Sequence, residues 1–281
     1  DPGMNMNLSR KLSTLGVATL PLDCLPLDKG QAEDLEQMYW AYGKRILAAG
    51  RLLAAYPRLL PVFVTNFSCG PDAFILHFFE RQLGHRPYLE LEIDEHTADA
   101  GVLTRLEAFL DSTAGAVLEE GGKAPFVQSH KDFRCERVLY LPPMTDHLQA
   151  FASAFAANGV EARLLPASDE DSLRLGRKYT KGKECLPAVL TTGDMLKAVL
   201  SPDFDPDRSA FFMPSAGGPC RFGLYHHLHR VILDELGLGQ VQVFSPNQGS
   251  TLYQELGLVS KDFTKLAWKG VVAVDLLLKL L

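Results

Sequence analysis

The residues best suited to carry chemistry in this chain are three cysteines near predicted strand ends and helix starts. Cys69 lies in Asn66-Phe67-Ser68-Cys69-Gly70-Pro71-Asp72, just past the apolar stretch from Leu59 to Phe67. Gly70 frees the backbone to turn there, and Pro71 can open a following helix. Cys185 stands in Gly182-Lys183-Glu184-Cys185-Leu186-Pro187, where Pro187 suits the first turn of a helix. Cys220 closes the run Pro214-Ser215-Ala216-Gly217-Gly218-Pro219 and is followed by Arg221. A helix start offers unpaired N–H groups and the positive end of a dipole, so Cys185 and Cys220 occupy positions that favour a thiolate or a negatively charged cluster.

Three thiolates satisfy a cubane iron–sulfur cluster with one open iron. The long separations exclude a compact ferredoxin-type run, so such ligands must be gathered from distant loops. On spacing alone, burial in a core is the commoner fate of a free cysteine. Zinc is a second metal reading, although the chain has no Cys-x-x-Cys pair and no His-x-x-x-His arrangement. A thiol redox switch is a third, requiring two sulfurs within disulfide reach. Cys24 and Cys135 lack a Gly/Pro turn context and read as structural.

Asp94-Glu95-His96 falls at another predicted strand end, where Glu95 and His96 form a carboxylate–imidazole pair suited to proton transfer. The competing reading is a helix-start network, with Thr97 or Asp99 capping and Arg105 pairing with a carboxylate. His226, His227 and His229 crowd one predicted helix and are explained by packing or solvent exposure. Arg177, Lys178, Lys181 and Lys183 make a basic stretch beside Cys185 that suits phosphate, an acidic protein surface or plain solvation. Gly217-Gly218 lacks the spacing and the Gly-Lys-Ser/Thr ending of a phosphate loop.

These residues must be positioned by alternating helices and strands. The pattern predicts a helix from Met4 to Leu15, a strand from Val17 to Leu22, and a long helix from Gln31 to Tyr56. A strand from Leu59 to Phe67, a helix from Pro71 to Leu83, a strand from Pro87 to Ile93 and a helix from Asp99 to Leu110 complete the first half. The second half restarts with a strand from Arg137 to Leu141, a helix from Asp146 to Asn158 and a strand from Glu161 to Leu165. After a polar stretch through Lys183 come a helix from Leu186 to Leu200, a strand from Ser209 to Met213, a helix to Leu236 and a strand from Gln240 to Phe244. The expectation is an α/β fold of two doubly wound, mostly parallel, Rossmann- or flavodoxin-like halves with a cleft between them. The first domain spans 1–115, a linker or excursion 116–136, and the second domain with its C-terminal helix 137–281.

The composition bounds the functional classes. A formal net charge of −6 with scattered basic residues argues against a broad nucleic-acid surface. No signal-peptide pattern opens the chain, and no apolar run nears the roughly 20 residues that span a bilayer, so the expectation is a cytoplasmic location without membrane attachment. Such a location keeps thiols reduced, which leaves the five cysteines as buried thiols, metal ligands or redox groups rather than a disulfide network. A first residue other than Met, and an end inside the amphipathic run from Val271 to Leu281, suggest a piece of a longer polypeptide.

Four strings together carry a family resemblance: Asn66-Phe67-Ser68-Cys69-Gly70-Pro71-Asp72; Asp94-Glu95-His96-Thr97-Ala98-Asp99-Ala100-Gly101; Lys183-Glu184-Cys185-Leu186-Pro187-Ala188; and Gly217-Gly218-Pro219-Cys220-Arg221. With them the chain resembles, over nearly its whole length, the C-terminal region of acyl-CoA dehydratase activase-related proteins and 2-hydroxyglutaryl-CoA dehydratase components. The resemblance implies a 4Fe-4S or double-cubane cluster held by Cys69, Cys185 and Cys220, with Asn66 beside it and Glu95, His96 and Arg221 as catalytic or substrate groups. It implies single-electron transfer from an ATP-dependent activase, in the service of dehydration of a 2-hydroxyacyl-CoA or a low-potential reduction. Acyl-CoA and a second copy of the chain are the further partners it implies. The activase's own nucleotide motifs are absent, and the rival reading is a regulatory or docking domain with structural cysteines.

Overall fold

The computed structural model describes residues 5–27, 35, 38–67, 70–115, 136–248, 252–257, 260 and 262–281. The chain divides into two compact units, Asp1–Phe126 and Val127–Leu281, and each carries its own parallel sheet. The fold is therefore the parallel α/β class that the alternation of elements predicts.

The first unit contains α1 (Leu8–Thr14), α2 (Ala41–Ala54), β1 (Val62–Thr65), α3 (Asp72–Leu83), β2 (Leu89–Glu92) and α4 (Asp99–Thr113). Strands β1 and β2 pair in parallel from Val62↔Leu89 to Thr65↔Glu92, with α3 as the crossover. Leu8 and Leu12 of α1 pack with Leu91 of β2 and with Val102 and Leu106 of α4, which removes the apolar stripes of two helices from water together. Phe63 of β1 meets Phe79 of α3 at 5.5 Å between ring centroids. Buried Arg86 donates to the carbonyls of Leu53, Tyr56 and Leu59, so one guanidinium ties the end of α2 to the approach to β1.

Two expectations fail in this unit. Val17 to Leu22 forms no strand; Gly16 turns at φ +77°, the Val17 N–H returns to the Leu12 carbonyl at 2.9 Å, and Leu22–Cys24 is a 3₁₀ turn. The first amide of that run is spent closing α1, and Pro21 has none to give a ladder. The predicted helix from Gln31 to Tyr56 is not continuous: 38–40 are not helical, Trp40 is extended and α2 starts at Ala41, while 28–34, 36 and 37 lie outside the described residues.

The second unit contains β3 (Val138–Leu141), α5 (Leu148–Ala157), β4 (Ala162–Leu164), α6 (Glu170–Tyr179), α7 (Leu186–Val199), β5 (Ser209–Phe212), α8 (Tyr225–Glu235), β6 (Gln242–Phe244), α9 (Leu252–Gly257) and α10 (Phe263–Leu278). Its four strands are parallel in the order β4-β3-β5-β6. The chain steps outward from β3 to β4 and then back across β3 to β5. The strand order therefore reverses between β3 and β5, where open α/β sheets bind ligands at their carboxyl edge.

Every residue of β5 is buried, as expected for a central parallel strand covered on both faces. Leu139, Leu141, Ala210, Phe212 and Phe244 share a core with Phe155 of α5 and Phe263 of α10, whose rings lie 4.5 Å apart. On the opposite face, Phe211 contacts Tyr140 and Phe204. The Arg137 guanidinium donates to the carbonyls of Ser209 (2.9 Å) and Gln240 (3.0 Å), stitching the amino ends of β3, β5 and β6 together.

Helix α6 falls in a stretch that reads as merely polar. Its start is fixed by a capping box, in which the Asp169 carboxylate accepts from Ser172 N–H at 2.9 Å and Asp169 N–H donates back to the Ser172 hydroxyl. Lys197 of α7 reaches the same carboxylate at 2.7 Å and, more than the Ser172 bonds, holds it well below the usual carboxylate range. The two helices run antiparallel and touch backbone to backbone. A Cβ on Gly193 would collide with the Ser172 carbonyl, and one on Gly176 with the Val189 carbonyl.

That contact makes a paired test. Gly193→Ala should destabilise the protein by about 3 kcal/mol, the upper end of ordinary overpacking because the obstacle is backbone. Gly101→Ala, in open space on α4, should stabilise it by roughly 0.5–1 kcal/mol through helix propensity. Urea unfolding midpoints at unchanged slope distinguish the two.

Candidate functional site

One of the three proposed cysteine ligands, Cys185, meets an unforeseen tyrosine, Tyr225, at the carboxyl edge of the four-stranded sheet, and a second, Cys220, opens the turn that leads into the same helix as that tyrosine. Cys185 is the residue preceding α7, and its backbone carbonyl already accepts from Ala188 N–H at 2.9 Å. Its thiol makes no cap; instead its Sγ lies 2.7 Å from the Tyr225 hydroxyl, at the first residue of α8. Cys220 caps the 3₁₀ turn Arg221–Leu224 that leads into α8, and its side chain is exposed. Both thiols act electrostatically on Tyr225. Burial foremost, then the Cys185 hydrogen bond and the charges of Cys185 and Cys220, hold its phenol protonated far above the usual range, with half-buried Arg221 opposing.

The loops that present the two cysteines are fixed in different ways. Before Cys185, the buried Glu184 carboxylate accepts from Lys181 N–H and Lys183 N–H, each at 3.0 Å, around Gly182 at φ +81°. The basic stretch is thus organised by its own glutamate; Arg177 and Lys178 lie on the last turn of α6, with Lys178 5.5 Å over the Tyr179 ring. Before Cys220, the chain continues the sheet: Met213 N–H donates to Phe244, Ser215 N–H to Pro246 and Gln248 N–H to Ser215. Gly223 lets the turn close, since a Cβ there would stand 2.5 Å from the Ala216 carbonyl.

In the first unit, Cys69 lies outside the described residues. The loop around it leaves β1 with Phe67 at φ +52°, unusual for a bulky residue, and resumes at Gly70 with φ +64°. Asn66 is exposed at the end of β1. Glu95 and His96 occupy an exposed turn, paired only loosely to each other at 3.6 Å. Asp94 organises that turn. Its Oδ1 accepts from the Thr97 hydroxyl at 2.7 Å and from His96 N–H at 3.0 Å, and these bonds, the Thr97 one foremost, hold the carboxyl low. The expected Thr97 or Asp99 cap is not what holds the turn: α4 follows Ala98 without a side-chain cap, and Asp99 pairs with Lys11 at 2.9 Å. Cys24 is exposed on its 3₁₀ turn, where a core role does not apply, and Cys135 lies outside the described residues.

The donor chemistry around Tyr225 is that of soft sulfur, which suits iron–sulfur ligation. Among the described residues no group of three or more His, Cys, Asp or Glu side chains is arranged to hold a metal ion. Cys185 and Cys220 supply two sulfurs on one edge, and any further ligand comes from elsewhere. Tyr225 left no sequence signal, because its partner is 40 residues away. No helix among the described residues is long and apolar enough to cross a membrane.

Behind Tyr225, His226, His227 and His229 are all buried, and the first two rings lie 3.8 Å apart, tilted by 39°. Desolvation above all, with the neighbouring imidazoles, holds His226 far below its ordinary value; desolvation holds His229 at about 3 against 6.5. The folded state therefore resists protonation that the unfolded chain accepts. Stability is full above pH 6.5 and falls as pH drops below it towards 3, by up to about 1.4 kcal/mol per pH unit for each such histidine. Denaturant titrations at pH 7.5 and 5.5 should show the loss, and His229→Gln should lessen it. Comparison of the chain with models of protein families, with curated proteins and with solved structures gives no match.

Proposed function

We propose that this chain is a cytoplasmic iron–sulfur component of an ATP-activated 2-hydroxyacyl-CoA dehydratase-like or low-potential reductase system, taking up and passing on single electrons delivered by an activase. The observation that carries the reading is the Cys185–Tyr225 contact, with Cys220 opening the turn into the same helix, at the carboxyl edge of a sheet whose strand order reverses there. The cysteine pair sits where ligands bind in such sheets rather than in the core, which weighs against purely structural thiols. Cys69, on the other unit, is the third proposed ligand.

When bound, such a cluster supplies one-electron chemistry at low potential. The chain's own residues do the rest. Tyr225 O–H stands within hydrogen-bond reach of the Cys185 sulfur, and the charge of Arg221, next to Cys220 in the chain, acts on Tyr225. Glu184 holds the loop that carries Cys185, and the Ser215–Asn247 bridge holds the loop before Cys220. Asn66, Glu95 and His96 belong to the first unit, and their part in the reaction rests on the family resemblance alone.

Anaerobic expression followed by iron and sulfide quantification and electron paramagnetic resonance tests the reading. Cys69→Ala, Cys185→Ala and Cys220→Ala should each abolish a stoichiometric cluster, whereas Cys24→Ala should keep it. Iron-free anaerobic protein whose variants fold normally would overturn the proposal and leave a regulatory or docking domain with structural cysteines.

A further inference from the structure

The first unit holds a second feature that the thiol site does not use. The starts of α2 and α3 surround an open cavity of about 390 Å³, within the size range of small-molecule sites. Its lining combines three aromatic side chains, Tyr39, Trp40 and Tyr42, with one carboxylate, Asp72. Tyr39 and Trp40 stand edge to face with centroids 6.1 Å apart. Tyr39 and Tyr42 remain 57% and 66% exposed, so the ring surface is turned to the cavity and solvent rather than spent in the core.

Asp72 gives the cavity its sign. One of its oxygens accepts from the buried Thr65 hydroxyl at 2.7 Å, which fixes the carboxyl at the junction of β1 and α3. Among the described residues no cation pairs with it. Partial burial, and to a lesser degree the Glu90 charge, push this carboxyl up. Arg45 lies 5.9 Å over Tyr42 and pairs with Asp23 at 2.8 Å.

Four ligand classes separate on this chemistry. An anion meets Asp72 and is repelled. A neutral apolar group desolvates Asp72 further and gives nothing back. A bare divalent ion asks for six or more oxygens where one carboxylate stands. An organic cation satisfies the carboxylate and places its polarised alkyl groups on the ring faces, each attraction reinforced by the partial exclusion of water. We propose that this cavity binds a small alkylammonium cation, its charge against Asp72 and its alkyl groups against Tyr39, Trp40 and Tyr42. The proposal uses no cysteine, although Pro71 and Asp72 follow Cys69 closely in the chain.

The test is a fluorescence titration of the whole chain carrying Trp268→Phe, which leaves Trp40 as the reporter among the two tryptophans. Isopropylammonium and tetramethylammonium are compared with the uncharged neopentyl alcohol at constant ionic strength. A saturable response to the ammonium ions, at least about tenfold weaker for the alcohol and for Asp72→Asn, is the expected result. Tyr39→Ala, a change at an exposed ring, should weaken the ammonium response several-fold. Equal binding of the alcohol, no saturable response, or an unchanged affinity in Asp72→Asn overturns the proposal. Should Asp72→Asn not fold, an unchanged affinity in Tyr39→Ala overturns it alone. The readout does not depend on iron content, so its failure leaves the cluster reading untouched.

Discussion

Helices α6 and α7 can approach backbone to backbone only because Gly176 and Gly193 lack side chains, and the placement of Cys185 follows from that approach. With the axes held so close, the first turn of α7 has little freedom to slide along α6. The Asp169 carboxylate, shared between Ser172 of α6 and Lys197 of α7, pins the far end of the same pair. Glu184 then folds the connecting loop around its own carboxylate, whose two oxygens accept from the backbone N–H groups of Lys181 and Lys183. The thiol that emerges from this hairpin is aimed at α8 by the hairpin's geometry.

The two edges of the four-stranded sheet are used differently. At the amino edge, Arg137 and Arg230 satisfy carbonyls at the starts of strands: Arg230 donates to Leu238 at 2.9 Å and to Val241, and binds Asp234 within its own helix. Planar guanidinium groups suit such multiple bonding and make that edge a structural seam. The carboxyl edge instead carries the glycine turn, the exposed Cys220 and the Cys185–Tyr225 pair. Stitching one edge allows the other to be built from loops.

Much of the architecture was legible in the sequence because its elements are strongly patterned. Pro71 and the apolar run behind it mark α3 closely, and the strands of the second unit sit where short apolar runs meet turn residues. Helix α6 was not legible as a helix, because its charged surface hides a narrow contact stripe; the signal was Asp169 three residues before Ser172, with Gly176 one turn on. The run from Val17 to Leu22 looked like a strand because an apolar run does not reveal that its first amide is already committed to a helix end. At the site, turn chemistry exposed the cysteines, but nothing local could pair Cys185 with Tyr225, or tell that three adjacent histidines are buried together.

The wholly buried strand β5 has a consequence for how the site comes apart. Amide exchange is slowest where opening requires the whole unit to unfold, and a central strand covered on both faces meets that condition. The loop to Cys220 springs from this most protected strand, while Cys185 belongs to a helical hairpin hung beside it. That hairpin is itself anchored, since Ala188, Met195 and Leu196 of α7 are buried, so parting the two cysteine loops means exposing apolar surface of α7 as well.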